Sequence, residues 1–260
     1  FQNIQSRIEN LDRVLEMTQD MFVIVPNTLL YGPPGTGKTK IAKTFAAQAD
    51  IPFVEVSLSS VGSTYHDGAM LNIEKKFNEA GDIIRKGAAR IAVMYIDEIT
   101  SMVRARFGSS SKEDDKVVET FTSNTGEGNQ VPGLMVIGGT NSVQCISQAV
   151  LSRFNVLPFP APDIETQSRI IGLYMDRYSS QSKTGIFSSV DPASVAEYCV
   201  HDNGARFVAR DLRQVIGSMV GSVIDNVLSG NDYSIDEERF LEHVEQYKDR
   251  KSLEDKPDYS

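Results

Sequence analysis

The chain has 260 residues, of which 40% are hydrophobic, so it can bury the core of one large domain or of one medium and one small domain. Its 26 basic residues are outnumbered by 35 acidic ones, and the net charge of −9 disfavours a broad nucleic-acid surface. The apolar runs are far shorter than the roughly 20 residues that span a bilayer, so we expect a soluble piece of chain without membrane contact.

The two cysteines, Cys145 and Cys199, lie far apart and lack the paired spacing of a metal site. We expect them to be reduced packing residues, and we therefore expect a cytoplasmic or other reducing intracellular compartment. Because residue 1 is phenylalanine rather than methionine, we also expect the native N-terminus to lie outside this sequence.

Five apolar runs with strand character alternate with helical patterns, which is typical of a parallel sheet covered by helices. An amphipathic helix marked by Ile8, Leu11 and Leu15 precedes the first run. The predicted strands are 28–31, 52–56, 91–96, 134–140 and 156–159. The helices predicted between them are 38–49, one with Ile73, Phe77, Ala80 and Ile84 on its buried face, and one that begins at an N-cap Ser111. The pattern predicts a five-stranded parallel αβα sandwich.

The first strand runs directly into Gly32-Pro33-Pro34-Gly35-Thr36-Gly37-Lys38-Thr39, and a helix follows. This spacing lets successive backbone N–H groups surround a phosphate, while the lysine reaches the β- and γ-phosphates and the threonine hydroxyl serves Mg²⁺. The helix adds the positive end of its dipole. The pattern therefore predicts a P-loop NTPase fold. The candidate nucleotide-binding residues are Gly32, Pro34, Gly35, Thr36, Gly37, Lys38, Thr39 and Lys40.

An acidic pair, Asp97-Glu98, follows the third predicted strand. Because the phosphate loop also follows a strand of the same parallel sheet, we expect all of them at its carboxyl edge. Asp97 is a candidate Mg²⁺ ligand together with Thr39, and Glu98 is a candidate base for the attacking water. Asn141 follows the fourth predicted strand, and its amide could hold that water or the γ-phosphate.

After residue 160 the strand pattern stops and the remaining chain is predicted to be helical. The predicted helices are 164–177, 192–199, 206–228 and 235–247, and we expect the strongest to form a core through Leu212, Val215, Ile216, Met219, Val220, Val223, Ile224 and Val227. We therefore expect a nucleotide-binding α/β subdomain over residues 1–160, a small all-helical lid over 161–248, and a polar, fraying tail over 249–260.

Four segments occur in the order and spacing of AAA+ ATPases: the phosphate loop, Ile96-Asp97-Glu98-Ile99, Gly139-Thr140-Asn141 and Ala149-Val150-Leu151-Ser152-Arg153-Phe154. The chain resembles an AAA+ module over nearly its whole length, and within that class it is most similar to the AAA clade of protein-remodelling ATPases. The resemblance implies ATP and Mg²⁺ as cofactors and a homo-oligomeric ring, expected to be a hexamer. It also implies that Asn141 is the sensor 1 residue, and that Arg153 is a finger reaching the nucleotide of the neighbouring subunit.

Two further segments carry weaker resemblances. Ala209-Arg210-Asp211-Leu212-Arg213 resembles the sensor 2 region, in which an arginine contacts the nucleotide; Arg210 is the candidate, with Arg206 and Arg213 as alternatives. The segment 63–68 resembles a pore loop, in which Tyr65 would grip a translocating polypeptide, although His66-Asp67 interrupts the usual pattern.

These features predict Mg-dependent ATP hydrolysis coupled to remodelling, unfolding or disassembly of a protein. A nucleic-acid loader or motor on the same module is an alternative that the acidic composition disfavours. A nucleotide-gated regulatory scaffold is another, and so is remodelling like that of Rubisco activase, since residues 79–87 are similar to a helix of plant-type activases.

Overall fold

The computed structural model describes residues 26–56, 66–101, 112–126, 130–180, 186–187, 189–229 and 234–254. The chain divides into two compact units, one of Phe1–Gly32 with Lys38–Phe159 and one of Pro33–Gly37 with Pro160–Ser260. The predicted N-terminal helix, the N-cap at Ser111 and the pore-loop residue Tyr65 lie outside the described residues. The predicted subdomain limits stay predictions.

The first unit contains a parallel sheet, as the alternating pattern predicts. Its strands are β1 (Thr28–Tyr31), β2 (Phe53–Val56), β3 (Ala92–Ile96), β4 (Leu134–Thr140) and β5 (Asn155–Pro158), in the spatial order β2-β3-β4-β1-β5. All neighbours pair in parallel, with Leu30 opposite Gly139 and Tyr95 opposite Ile137. β5 begins one residue earlier than predicted because the Asn155 N–H donates to the Asn27 carbonyl oxygen. The predicted fold class is confirmed.

Helices cover both faces of this sheet, which explains why every residue of β3 and β4 is buried. These helices are α1 (Lys38–Gln48), α2 (His66–Arg85), α3 (Lys112–Thr125) and the short α4 (Gln148–Leu151). One face packs strand residues such as Met94 and Val136 against Phe77 and Phe121. The other packs Val93, Tyr95, Met135 and Ile137 of the sheet against Ala42, Phe45 and Ala46 of α1. Alternate residues of each strand therefore serve opposite cores.

The second unit is helical and has its own core. Its helices are α5 (Ile164–Ser180), α6 (Pro192–Tyr198), α7 (Ala209–Leu228) and α8 (Glu237–Glu254). Leu212, Val215, Ile216, Met219 and Val223 of α7 are buried as predicted. Ile224 and Val227, also expected in the core, are 56% and 51% exposed, so that expectation is wrong for these two residues.

The ends of the last two helices differ from the sequence-based bounds. α7 begins at Ala209 rather than 206, where the carboxylate of Asp211 accepts the backbone N–H of Val208 at 2.8 Å and fixes the helix start. α8 continues through residues expected to fray, and the Arg250 guanidinium lies over the Tyr247 ring at 5.2 Å. Residues 249–254 therefore belong to α8.

Both cysteines are thiols rather than disulfide-bonded. Cys199 is buried in the helical core, and this burial raises the pKa of its thiol to about 12. A thiol with such a pKa stays protonated at neutral pH, so Cys199 is a packing residue.

Candidate active site

Three polar segments meet at the carboxyl edge of the sheet because they follow neighbouring parallel strands. Asp97 and Glu98 follow β3, Asn141 follows β4, and Lys38 opens the helix after the loop that leaves β1. β4 lies between β3 and β1, so Asn141 sits between the acidic pair and the lysine. The sheet-edge cluster comprises Lys38, Thr39, Tyr95, Asp97, Glu98, Thr100 and Asn141.

Lys38 is a nearly buried cation, with 8% of its surface exposed. Its ammonium donates to the Gly32 carbonyl oxygen at 2.8 Å and to Oδ1 of Asn141 at 2.9 Å. These oxygens hold the charge where the loop motif requires it for a phosphate. Lys38 and Asn141, both predicted site residues, are therefore in direct contact.

Glu98 is held at both carboxylate oxygens. The Nδ2 of Asn141 donates to Oε2 at 3.0 Å, and the hydroxyl of Thr100 donates to Oε1 at 2.6 Å. The backbone of Glu98 has φ of 49°, a left-handed conformation that costs a non-glycine residue roughly 1–3 kcal/mol and that accumulates at functional sites. The side chain is nevertheless exposed, so a carboxylate of defined orientation faces solvent.

A third contact joins the two predicted magnesium ligands. The hydroxyl of Tyr95 donates to Oδ1 of Asp97 at 3.2 Å and lies 3.0 Å from the hydroxyl of Thr39. Tyr95 is fully buried, and burial raises the pKa of its phenol well above the usual range. The phenol is therefore a protonated donor at any physiological pH.

The phosphate loop has the backbone that its glycines permit. Gly35 and Gly37 have φ of 85° and 103°, which side-chain-bearing residues rarely adopt. The Thr36 hydroxyl donates to the Pro33 carbonyl oxygen at 3.1 Å. The N–H of Arg210 donates to the Gly35 carbonyl oxygen at 3.1 Å, so the sensor 2 candidate contacts the loop through its backbone.

The remaining predicted residues occupy different surroundings. The Gly32 N–H donates to the Thr140 carbonyl oxygen at 3.1 Å, and Pro34 and Lys40 are exposed. Arg153 lies against the preceding helix α4, where its guanidinium donates to the Ala149 carbonyl oxygen, while its Nε is buried with no hydrogen-bond partner among the described residues. The structure thus groups the lysine, asparagine and acidic pair, and finds Arg153 folded onto α4.

Sequence reasoning missed Tyr95 and Thr100. Tyr95 was counted as one of the apolar residues of its strand, yet it lies two residues before Asp97, and residues i and i+2 of a strand share a face. That spacing was the available signal for Tyr95. Thr100 carried none, because its contact with Glu98 depends on the turn that follows β3.

A parallel sheet with a phosphate loop and a lysine at its carboxyl edge defines the class of P-loop nucleotide-binding proteins. Residues 28–159, about half of the chain, match the ATPase family associated with various cellular activities (AAA). The chain belongs to this family and is an ATPase module of its protein-remodelling clade.

The curated relatives are ATP-dependent zinc metalloproteases. FtsH of Lachnoclostridium phytofermentans is 34% identical over 155 residues, which cover 57% of this chain and 26% of the relative. FtsH of Mycoplasmopsis pulmonis is 28% identical over 213 residues, covering 78% and 29%. FTSH 3, mitochondrial, of Arabidopsis thaliana is 27% identical over 230 residues, covering 82% and 27%. The chain thus spans about a quarter of the length of these relatives.

The relatives correct the expected localisation. The sequence predicted a cytoplasmic or other reducing intracellular compartment, whereas FtsH proteases are membrane-anchored, and that prediction is wrong. Within the described ranges, the structure contains no helix of sufficient length and apolarity to cross a membrane.

Proposed function

We propose that the sheet edge binds Mg·ATP and hydrolyses it, and that hydrolysis drives remodelling, unfolding or disassembly of a protein by a ring of copies of this chain. The hydrogen-bonded series Lys38–Asn141–Glu98 carries the proposal, because it joins a phosphate-binding cation to a candidate base through one amide. Membership of the AAA family supports the same reaction.

Phosphate binding is assigned to the loop motif and to Lys38. The backbone N–H groups of the loop would cradle the phosphate oxygens, and the ammonium would contact the β- and γ-phosphates. A γ-phosphate oxygen is a stronger acceptor than the oxygens that now hold the ammonium. Binding of ATP would therefore draw Lys38 away from Asn141, whose amide could then hold the attacking water or the phosphate.

The residues at this edge fit a magnesium ion. Thr39 and Asp97 supply a hydroxyl and a carboxylate oxygen, which are the ligand types that Mg²⁺ prefers, and both contact the same phenol. Bound Mg²⁺ would neutralise charge that develops on the phosphate oxygens. Glu98 would orient the attacking water and accept its proton, since its carboxylate is exposed and anchored at both oxygens.

The ring is proposed because the segment that contains Arg153 resembles one in which an arginine reaches the nucleotide of a neighbouring subunit. Arg153 would reach the nucleotide of the neighbouring subunit, for which its guanidinium must leave the Ala149 carbonyl oxygen. An arginine supplied in trans accelerates phosphoryl transfer by about 10³ to 10⁵, so isolated copies would turn over slowly. Arg210 remains the proposed sensor 2 residue, Tyr65 the proposed pore contact, and six the proposed number of subunits.

The test measures the native mass with and without ATP, together with ATP turnover in the presence of an unfolded protein. Lys38→Ala should weaken nucleotide binding, whereas Lys43→Ala, which removes an exposed lysine from the same helix, should not. Arg153→Ala should lose turnover and regain it when mixed with Lys38→Ala, because each mixed interface can combine an intact cradle with an intact finger. A protomer that stays monomeric with ATP and turns over at full rate would refute the ring.

A further inference from the structure

Tyr95 places a polar atom among the apolar side chains that pack the sheet against α1. It lies in β3 with 0% exposure, and its ring stacks on Phe53 with centroids 6.1 Å apart. Packing alone would be served equally well by phenylalanine. The phenolic oxygen therefore requires its own explanation.

The hydrogen bonds of this oxygen have a defined direction. An ionised carboxylate only accepts, so the single phenolic proton of Tyr95 goes to Oδ1 of Asp97. The 3.0 Å contact with Thr39 must then use the threonine proton, which points at the phenolic oxygen. A threonine hydroxyl whose proton is directed at Tyr95 turns its lone pairs elsewhere, and lone pairs are what a metal ligand must present.

The neighbouring strand leaves room for the phenol. A Cβ added at Gly139 of β4 would lie 2.5 Å from the Tyr95 oxygen and 3.5 Å from Oδ1 of Asp97. Real Cβ atoms essentially never make contacts under 3.0 Å, so any side chain at position 139 would force the phenol or the strand to shift. The phenol, the glycine and the two oxygen ligands thus form one arrangement.

We propose that Tyr95 is a positioning residue of the magnesium site, which fixes Thr39 and Asp97 in the orientation that Mg²⁺ requires before the ion arrives. This inference rests on the proposed Mg·ATP function and adds to it a residue that contacts neither metal nor nucleotide. Mg²⁺ demands near-ideal octahedral geometry, so ligands that are already oriented bind it better. Loss of a residue that orients metal ligands typically weakens metal affinity by about 10- to 100-fold.

The test separates metal affinity from nucleotide affinity. Binding of a fluorescent ADP analogue is measured in EDTA and during titration with Mg²⁺, and Mn²⁺ binding is measured by electron paramagnetic resonance. Tyr95→Phe should leave affinity in EDTA within about twofold of wild type, and should raise the Mg²⁺ and Mn²⁺ concentrations at half saturation by at least about tenfold.

Tyr247→Phe is the matched control. The Tyr247 hydroxyl donates to Oδ1 of Asp211 at 2.7 Å, so this substitution removes the same atom from a second buried tyrosine that donates to an aspartate. It should lower thermal stability without changing the Mg²⁺ dependence. An equal shift in both variants would overturn the proposal.

Gly139→Ala tests the same phenol by adding a methyl group on the neighbouring strand β4. The new Cβ should displace the hydroxyl and reproduce the weakened Mg²⁺ binding, whereas the double variant with Tyr95→Phe should be no weaker than either single variant and more stable than Gly139→Ala. A Tyr95→Phe protein with unchanged Mg²⁺ dependence, or with equal loss in EDTA, would overturn the positioning role. Wild-type binding that ignores Mg²⁺ would overturn this role and the proposed metal together.

Discussion

Each unit contains a cluster of polar residues of the same types, but the two clusters have different roles. In the helical unit, the carboxylate of Asp211 accepts from the Val208 N–H, the Tyr247 hydroxyl and the His201 ring, and it is 7% exposed. At the sheet edge, Asp97 and Glu98 are also held by hydroxyl or amide donors but are exposed. A buried carboxylate ties chain segments together, whereas an exposed and oriented one is available to a ligand.

The buried polar groups of the helical cluster form hydrogen bonds with other residues of the same unit. Gln167, which is fully buried, donates to the carbonyl oxygens of Cys199 and Phe207 and accepts from Arg206. Such groups stabilise a fold because leaving any one of them unmatched is costly. The comparison teaches that substitutions in the helical cluster should cost stability, and those at the sheet edge should cost binding or turnover.

The largest expected effect is that of Glu98→Gln. Glutamine keeps the side-chain length and a carbonyl oxygen but cannot accept a proton, so turnover should fall by about 10² to 10⁴. ATP binding and thermal stability should stay close to wild type, because the side chain is exposed. Turnover is measured by phosphate release and binding by nucleotide fluorescence. A variant with undiminished turnover would show that Glu98 is not the base.

Asp211→Ala tests whether the polar cluster of the helical unit serves stability. Three hydrogen bonds disappear, and the buried Val208 N–H and Tyr247 hydroxyl lose an acceptor, so the helical unit should lose about 3 kcal/mol of stability. Native-state hydrogen exchange of α7 amides measures this loss separately from that of the sheet unit. Asp202→Ala, which removes an exposed carboxylate nearby, is the control and should change exchange little. Equal protection in both variants would contradict the structural role.

The two clusters also differ in how far sequence could predict them. Lys38, Asp97, Glu98 and Asn141 were predictable because each follows a strand in a parallel sheet, and parallel strands end at a common edge. The roles of Tyr95 and Gly139 were not, because they arise from the pairing of β3 with β4, which brings residues 44 apart in sequence together. Asp211 was predicted only as part of a motif, since two of its three partners, His201 and Tyr247, lie outside its own helix and the N-cap of that helix.

Thr100→Val tests whether the orientation of Glu98 at the sheet edge matters for turnover. The substitution keeps the shape and removes the hydroxyl that donates to Glu98 at 2.6 Å, so one of the carboxylate's two anchors is lost. The maximal rate should fall by about tenfold while nucleotide affinity is unchanged, because a poorly oriented base slows only the chemical step. Thr100→Ser restores the donor and should restore the rate. A faster Thr100→Val enzyme would mean that the hydroxyl restrains Glu98 rather than aligns it.

Thr28→Val should have the smallest effect and the opposite sign. The Thr28 hydroxyl is buried in β1 without a hydrogen-bond partner among the described residues, so it is desolvated without compensation. Its replacement by a methyl group should stabilise the sheet unit by about 1 kcal/mol, measured by hydrogen exchange of β1 amides. Thr125→Val is the matched control, because that buried hydroxyl donates to the Phe121 carbonyl oxygen at 2.8 Å and its loss should not stabilise. If both substitutions stabilised the protein equally, the gain in stability would come from better apolar packing rather than from removal of the unmatched hydroxyl. A buried polar group would then be no guide to function at this sheet unless it also has an exposed partner, as Tyr95 and Thr100 do.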